Sequence, residues 1–177
     1  MLGAILCGGA SRRMGTDKAL VHWDGVPMVG RVAAALRDGG CDPVVAIGGD
    51  PAALADLGLE VIADRWPGEG PMGAVITALE HADGHAVVVS CVLPLLTAGT
   101  VANLAAAVEG HDAAVPRTDR WQSLCAAWAP SALSVLATAF DGGERSLQRV
   151  FDRLDVVVPD IPEVDLTNVN TPSDLRQ

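Results

Sequence analysis

Aromatic residues are scarce in this chain. It has no tyrosine, and Trp23, Trp66, Trp121, Trp128, Phe140 and Phe151 complete the set. Half of its 177 residues are hydrophobic, so the core has to be assembled from Ala, Val, Leu and Ile, which suits helices layered on a parallel sheet. Long apolar runs are lacking too. None approaches the roughly 20 residues that span a bilayer, and no membrane partner is expected. The segment from Met1 to Leu6 has no basic flank and runs into glycines too early for a secretory signal, so a cytoplasmic location is expected. The four cysteines, Cys7, Cys41, Cys91 and Cys125, make no CxxC pair and no Cys/His cluster, which argues against a zinc site or a disulfide framework. Buried free thiols are the expectation for Cys41 and Cys125.

Positive charge is the other shortage. A net charge of -10 excludes a general nucleic-acid surface, which needs a broad basic face. The cations present are concentrated, with Arg12, Arg13 and Lys18 in one seven-residue stretch, and Lys18 is the only lysine beside eleven arginines. A small anionic ligand therefore fits the charge pattern. Neither GxxxxGK[ST] nor GxGxxG occurs at this stretch, so a P-loop enzyme and a dinucleotide oxidoreductase lose their main support.

Apolar runs of strand length alternate with segments of helical period, the pattern of βαβ units and a parallel sheet. Strands are predicted at 2–7, 43–47, 59–63, 85–91, 112–115, 124–128 and 156–158, with 85–91 the most apolar and placed centrally. Helices are predicted at 26–38, 51–57, 72–82, 101–108, 132–140 and 146–154, with a last stub beginning at Asp174. The length fits one domain, residues 1–177, and no repeat or linker divides it. The expected fold class is α/β, a Rossmann-like three-layer αβα domain with a mostly parallel sheet. Ligands of such sheets sit beyond the carboxyl ends of the strands, where the strand order reverses. The residues there are Gly8-Gly9, Gly48-Gly49-Asp50, Asp64 and Val92. Glycine at the first two lets backbone approach a ligand, and Asp64 offers acceptors to a ribose or a base edge.

The segment Leu6-Cys7-Gly8-Gly9-Ala10-Ser11-Arg12-Arg13-Met14-Gly15-Thr16-Asp17-Lys18 follows a strand, so its backbone N–H groups can turn toward an anion, with Arg13 and Lys18 neutralising polyphosphate charge. Gly15 permits the reversal that returns Lys18 over the loop. The string GGxSxRMGxDK, present as Gly8, Gly9, Ser11, Arg13, Met14, Gly15, Asp17 and Lys18, resembles the signature loop of the molybdenum cofactor guanylyltransferases. The resemblance runs along the chain: Asp24-Gly25 before Pro27 is similar to the family's turn into its first helix, 61–64 with Gly70-Pro71 to its nucleoside segment, and Gln122-Ser123-Leu124 to the entry of its acceptor-side strand. Residues 168–175 resemble its closing NxNTPxDL motif.

This resemblance implies a nucleotide-diphospho-sugar transferase-like fold and transfer of GMP from GTP to the terminal phosphate of molybdopterin, with pyrophosphate released and Mg2+ as cofactor. By position, Leu6, Cys7, Gly8 and Gly9 would meet the nucleotide through backbone, Arg13 and Lys18 would hold phosphates, Asp64 would bind the guanosine end, and Asn170 would lie near the metal. Transient contact with molybdoenzyme apoproteins or partners in cofactor synthesis is a further implication. One position departs from the pattern. The family's fourth strand ends in C-D-x-P, whose aspartate ligates Mg2+, and here Cys91-Val92-Leu93-Pro94 puts Val92 in that place. Valine has no oxygen to offer a hard cation. Four accounts are open: the triphosphate, water and Asn170 hold the metal at reduced activity; the chain binds nucleotide without turnover; the aspartate has been replaced; or a neighbouring acid, Asp50 or Asp165, substitutes. Alternative functions are cytidylyl transfer, sugar-phosphate nucleotidyl transfer, and a catalytically weak nucleotide- or pterin-binding paralogue.

Overall fold

The computed structural model describes residues 1–8, 18–170 and 174. Strand β1 (Leu2–Leu6) is buried along its whole length. A short 3-10 turn (Lys18–Leu20) leads to a hairpin of β2 (His22–Trp23) and β3 (Val26–Pro27), and helix α1 (Met28–Asp38) follows directly. Strand β4 (Val44–Ile47), helix α2 (Pro51–Ala55), strand β5 (Glu60–Ile62), helix α3 (Pro71–His81) and strand β6 (Ala86–Ser90) continue the alternation. Helix α4 (Ala98–Ala107), strands β7 (Ala113–Ala114) and β8 (Cys125–Trp128), helix α5 (Ala132–Asp141) and strand β9 (Val156–Val157) complete it, with a 3-10 turn at Glu163–Leu166.

The boundaries have local causes. Asp50 caps α2 by accepting from the N–H groups of Ala52 (2.9 Å) and Ala53 (3.4 Å), with Pro51 in the first turn. Thr97 caps α4 by accepting from Thr100 N, so that helix starts at Ala98, three residues before the apolar periodicity predicts. Gly39 and Gly40 end α1, Gly40 at φ +96.

The main sheet has the order β5-β4-β1-β6-β8-β7-β9, with β8 alone running against its neighbours. β6 is its central strand, as its apolar sequence predicts. Side chains alternate between the two faces. On one face Ile5, Ala46, Val87 and Val89 pack with Val32 and Leu36 of α1 and with Val101 and Leu104 of α4. On the other, Leu6, Ile47, Val88 and Trp128 pack with Met72 and Ile76 of α3 and with Leu136 and Phe140 of α5. The result is the expected three-layer α/β arrangement. The chain steps outward from β1 to β4 and β5 and then returns past β1 to β6. A right-handed crossover in each direction puts α1 and α3 on opposite faces. The reversal of strand order thus falls between β1 and β6, where Cys91 N donates to Leu6 O at 3.4 Å.

Two elements differ from the sequence-based expectation. Residues 146–154 form two 3-10 turns, Leu147–Arg149 and Phe151–Arg153, instead of an α-helix. The buried positions Leu147, Val150 and Phe151 suit a period of 3.0 as well as 3.6 over so short a stretch, so periodicity could not separate the two. The hairpin at 22–27 stands where the sequence predicts a turn and the start of a helix. Asp24 (φ 48) and Gly25 (φ 78) make a two-residue loop of the kind that joins antiparallel strands, and that pair is a recognised hairpin signal.

Candidate functional site

Two groups of residues face the reversal point. The first lies at the carboxyl ends of β1, β4 and β5. Cys7 and Gly8 both donate their N–H groups to Ile47 O, at 3.0 and 3.1 Å, and Gly48 N donates to Ile62 O at 2.9 Å. Three strand ends are thereby stitched together, and Gly8, Gly48 and Asp64 converge. Gly48, at φ +69, runs so close to Gly8 that a Cβ there would stand 3.1 Å from Gly8 Cα. A Cβ on Gly8 would point toward the Asp64 carboxylate, 3.8 Å from Oδ2. Asp64 Oδ1 accepts from Trp66 N at 3.0 Å, which turns Oδ2 toward the glycines. The N–H groups of Cys7 and Gly8 are thus directed at β4. Leu6 and Cys7 are buried, whereas Gly8 is exposed.

The loop that follows Asp64 is fastened to α5. Trp66 packs on Phe140 with ring centroids 4.9 Å apart, and the Arg145 guanidinium lies 3.8 Å over the Phe140 ring. Arg145 also donates to Glu69 Oε2 at 2.8 Å and to Phe140 O at 2.7 Å. Its guanidinium thereby holds the 66–70 loop against α5, a role that nothing in the composition signals.

The second group lies beyond β1 and β6. Lys18 Nζ donates to Asn170 Oδ1 at 3.3 Å across 152 residues of sequence. Asn170 N is held by Asp174 Oδ2 at 2.8 Å, and Val169 N donates to Val92 O at 3.0 Å. The closing segment therefore docks on the loop after β6, and Arg31 of α1 fixes the other side of that loop by donating to Pro94 O at 3.1 Å. Val92 is 7% exposed and belongs to the apolar cluster beneath α1 and α4. Gly9, Arg13 and Gly15, with the rest of residues 9–17, lie outside the described residues.

The donor set can be tested against a protein-held Mg2+. Val92 contributes no side-chain oxygen, and the Asn170 carboxamide oxygen faces the Lys18 ammonium. Asp50 is engaged as a helix cap. Asp165 is 5% exposed, and its Oδ2 accepts from the hydroxyls of Thr97 and Thr100, both at 2.6 Å. Both oxygen-bearing side chains therefore have structural duties, Asp165 buried under two hydroxyls and Asp50, which is exposed, with Oδ1 on the helix cap. Among the described residues no group of three or more His, Cys, Asp or Glu side chains comes together. These residues do not fit a protein-held magnesium ion, which demands several oxygens in near-octahedral array. The histidines are dispersed, with His111 paired to Asp155 at 3.0 Å and His85 3.9 Å from Glu109. Trp121 packs on Phe151 at 4.9 Å with Arg117 5.0 Å from its ring.

Among the described residues no helix is long and apolar enough to cross a membrane. Residues 3–157 match the profile of the MobA-like NTP transferase domain. The chain is 34% identical over 192 residues to a probable molybdenum cofactor guanylyltransferase of Chloroflexus aggregans, covering 99% of this chain and 92% of that one. It is 36% identical over 185 residues to the molybdenum cofactor guanylyltransferase of Pseudomonas putida, covering 97% and 94%. Among solved structures, molybdopterin-guanine dinucleotide biosynthesis protein A from Archaeoglobus fulgidus superposes with a TM-score of 0.82 at 27% identity, covering 99% of this chain and 95% of that one. The 2-C-methyl-D-erythritol 4-phosphate cytidylyltransferase of Thermus thermophilus shares the fold, with a TM-score of 0.74 at 18% identity over 97% and 94% of the two chains.

Proposed function

The chain belongs to the MobA-like NTP transferase family and is a nucleotidyltransferase of the molybdenum cofactor guanylyltransferase kind, and we propose that its reaction is transfer of GMP from GTP to the terminal phosphate of molybdopterin. The 177 residues act as one nucleotidyltransferase domain. The observation that carries the reading is the placement of its two residue groups on either side of the strand-order reversal: Gly8, Gly48 and Asp64 on one, Lys18 with Asn170 on the other. The glycine pair leaves room for a flat base and ribose to approach backbone, and Asp64 Oδ2 accepts hydrogen bonds from the guanosine end. Lys18 stands at the phosphates, and the sequence motif assigns Arg13, Gly9 and Gly15, which lie outside the described residues, to the same phosphates.

In the step itself an oxygen of the acceptor phosphate attacks the α-phosphorus. A new P–O bond forms as the α–β bridging P–O bond breaks, and pyrophosphate leaves with that electron pair. The nucleophile is already anionic, so no general base is required. The protein aligns the two phosphates and neutralises the charge that develops on the pyrophosphate leaving group. Mg2+ is the expected companion of the triphosphate. Because the described residues do not fit a protein-held ion, the neutralisation falls to Lys18 and Arg13. We assign this chain a slower turnover than a form with an acid at 92. Val92 also supports a second reading, a nucleotide-binding paralogue that hands cofactor to apoenzymes.

Pyrophosphate release from GTP and molybdopterin with Mg2+ tests the proposal, run on this chain and on Val92→Asp in parallel. Release with GTP and not CTP is expected from both, and at least about tenfold faster from Val92→Asp, equivalent to about 1.4 kcal/mol in the barrier. GTP binding without release from either form would favour the binding paralogue. Release with CTP in place of GTP would move the assignment to a cytidylyltransferase.

A further inference from the structure

The Asp165 carboxylate is an acid that the transfer reaction does not use. It is 5% exposed, and its Oδ2 takes two hydroxyl donors, Thr97 Oγ1 and Thr100 Oγ1, each at 2.6 Å. Hydroxyl-to-carboxylate bonds of this length are charge-assisted and stronger than neutral ones. Thr97 Oγ1 in turn accepts from Thr100 N at 3.2 Å as the cap of α4. One oxygen therefore ties the 3-10 turn Glu163–Leu166 to the first turn of α4.

Downstream of this tie the chain has little freedom before Asn170. Asn168 Nδ2 donates to Leu166 O at 3.1 Å, Val169 is 3% exposed, and Val169 N donates to Val92 O at 3.0 Å. The next residue is Asn170, itself exposed, with its carboxamide oxygen on Lys18 Nζ. The segment is thus anchored twice, on α4 and on the loop after β6, and Asn170, whose side chain meets Lys18, comes straight after the second anchor. Lys18 is long and flexible, and an acceptor in a fixed place decides where its ammonium rests.

We infer that Asp165, through Thr97 and Thr100, is a positioning residue: it sets the place of Asn170, and through Asn170 the place of the Lys18 ammonium at the phosphate side of the nucleotide site. This rests on the reading of the Lys18–Asn170 pair given under Proposed function. The role needs an acceptor at residue 165 more than it needs a charge. Asparagine can still accept both hydroxyls, whereas alanine releases them.

The test is calorimetric titration of the full chain with GTP and, separately, with GMP, for Asp165→Ala, Asp165→Asn, Asn170→Ala and the double variant Asp165→Ala/Asn170→Ala. Thr100→Val, which removes one of the two donors, stands in should Asp165→Ala fail to fold. Asp165→Ala and Asn170→Ala are each expected to weaken GTP by about tenfold and GMP by no more than about twofold, and the double variant to be no weaker than Asn170→Ala alone. Asp165→Asn should stay within about threefold of the unchanged chain. Equal losses for GTP and GMP, or losses that simply add in the double variant, would mean that Asp165 only holds the fold together, and the inference would be overturned. It is overturned as well if Asn170→Ala leaves GTP affinity unchanged, and in that case the reading of the phosphate side fails with it. If Asn170→Ala weakens GTP while Asp165→Ala and Thr100→Val do not, the inference alone fails.

Discussion

The backbones of Gly48 and Gly8 meet edge to edge: a Cβ on Gly48 would lie 3.1 Å from Gly8 Cα and 3.2 Å from Gly8 N, although 40 residues separate the two in sequence. The contact closes the carboxyl ends of β1 and β4 around Asp64 and shapes the floor on which a nucleoside would rest. The two glycines carry different constraints. Gly48 sits at φ +69 and has backbone in front of it, whereas Gly8 has ordinary van der Waals distances of 3.7 to 3.9 Å to its neighbours.

Gly48→Ala is therefore expected to cost stability, about 1–3 kcal/mol from the left-handed backbone and the crowding of Gly8. Gly8→Ala should change stability by less than about 1 kcal/mol, yet weaken GTP binding because its methyl enters the space before Asp64. Thermal unfolding and GTP titration of both variants check this. Equal loss of stability in the two would contradict it.

Among the described residues Lys18 makes one side-chain hydrogen bond, in a partly exposed position, worth about 0.5–1.5 kcal/mol at most to the fold. Lys18→Ala should leave the melting curve nearly in place, keep GMP affinity within about twofold, and lower pyrophosphate release by roughly 100-fold or more. Lys18→Arg should fall between, since the charge is kept but the ammonium geometry is lost. Steady-state kinetics with GTP and molybdopterin read the effect.

Val92→Asp puts a carboxylate at a position 7% exposed among apolar neighbours. Without a cation it should destabilise the chain by about 3 kcal/mol. Mg2+ with GTP should restore part of that loss, and the same addition should raise the melting temperature of the Val92 chain less, because a ligand stabilises only by what it binds in the native state. Scanning calorimetry with and without Mg2+ and GTP makes the comparison.

The thiols predict an alkaline limit. Burial pushes Cys125 from its ordinary 9.0 up to about 12, with the Asp165 carboxylate adding to the effect, and pushes Cys41 up to about 11. Above pH 9 the unfolded chain releases thiol protons that the native chain retains. The contribution of these groups is thus complete below about pH 9 and drains away as pH rises through about 11 and 12. Urea unfolding from pH 8 to 10.5 should show stability falling by up to about 1.4 kcal/mol per unit per thiol, with a shallower fall in Cys125→Ala. Iodoacetamide should leave both thiols unmodified in the native protein at pH 8.

Much of this was open to reading from the residues in order. Asp50-Pro51 and Gly39-Gly40 mark helix limits by chemistry that acts within a few residues, and the alternation from 2 to 91 marks parallel strands because each is bounded by turn residues. The Asp24-Gly25 hairpin is equally legible, since two-residue loops of that composition favour antiparallel strands, although the same pair also fits a turn before a helix. The stretch 146–154 was not legible, because a nine-residue apolar pattern is compatible with both helical periods.

The site divides the same way. Gly8, Gly48, Asp64, Lys18 and Asn170 could be named from their places after strands and within motifs, because ligand chemistry at a sheet edge depends on residue type and strand end. Val92, standing where the resembled family carries an aspartate, could be seen there too. The sequence by itself thus determined the α/β alternation, the family and the residues gathered at the sheet edge. Tertiary structure alone decided that Asp165 serves Thr97 and Thr100 instead of a metal, that Arg145 holds the 66–70 loop, and that Asn170 reaches Lys18. Those outcomes depend on which distant side chains arrive within hydrogen-bond range once the two faces of the sheet are packed, and the order of residues along the chain does not record that proximity.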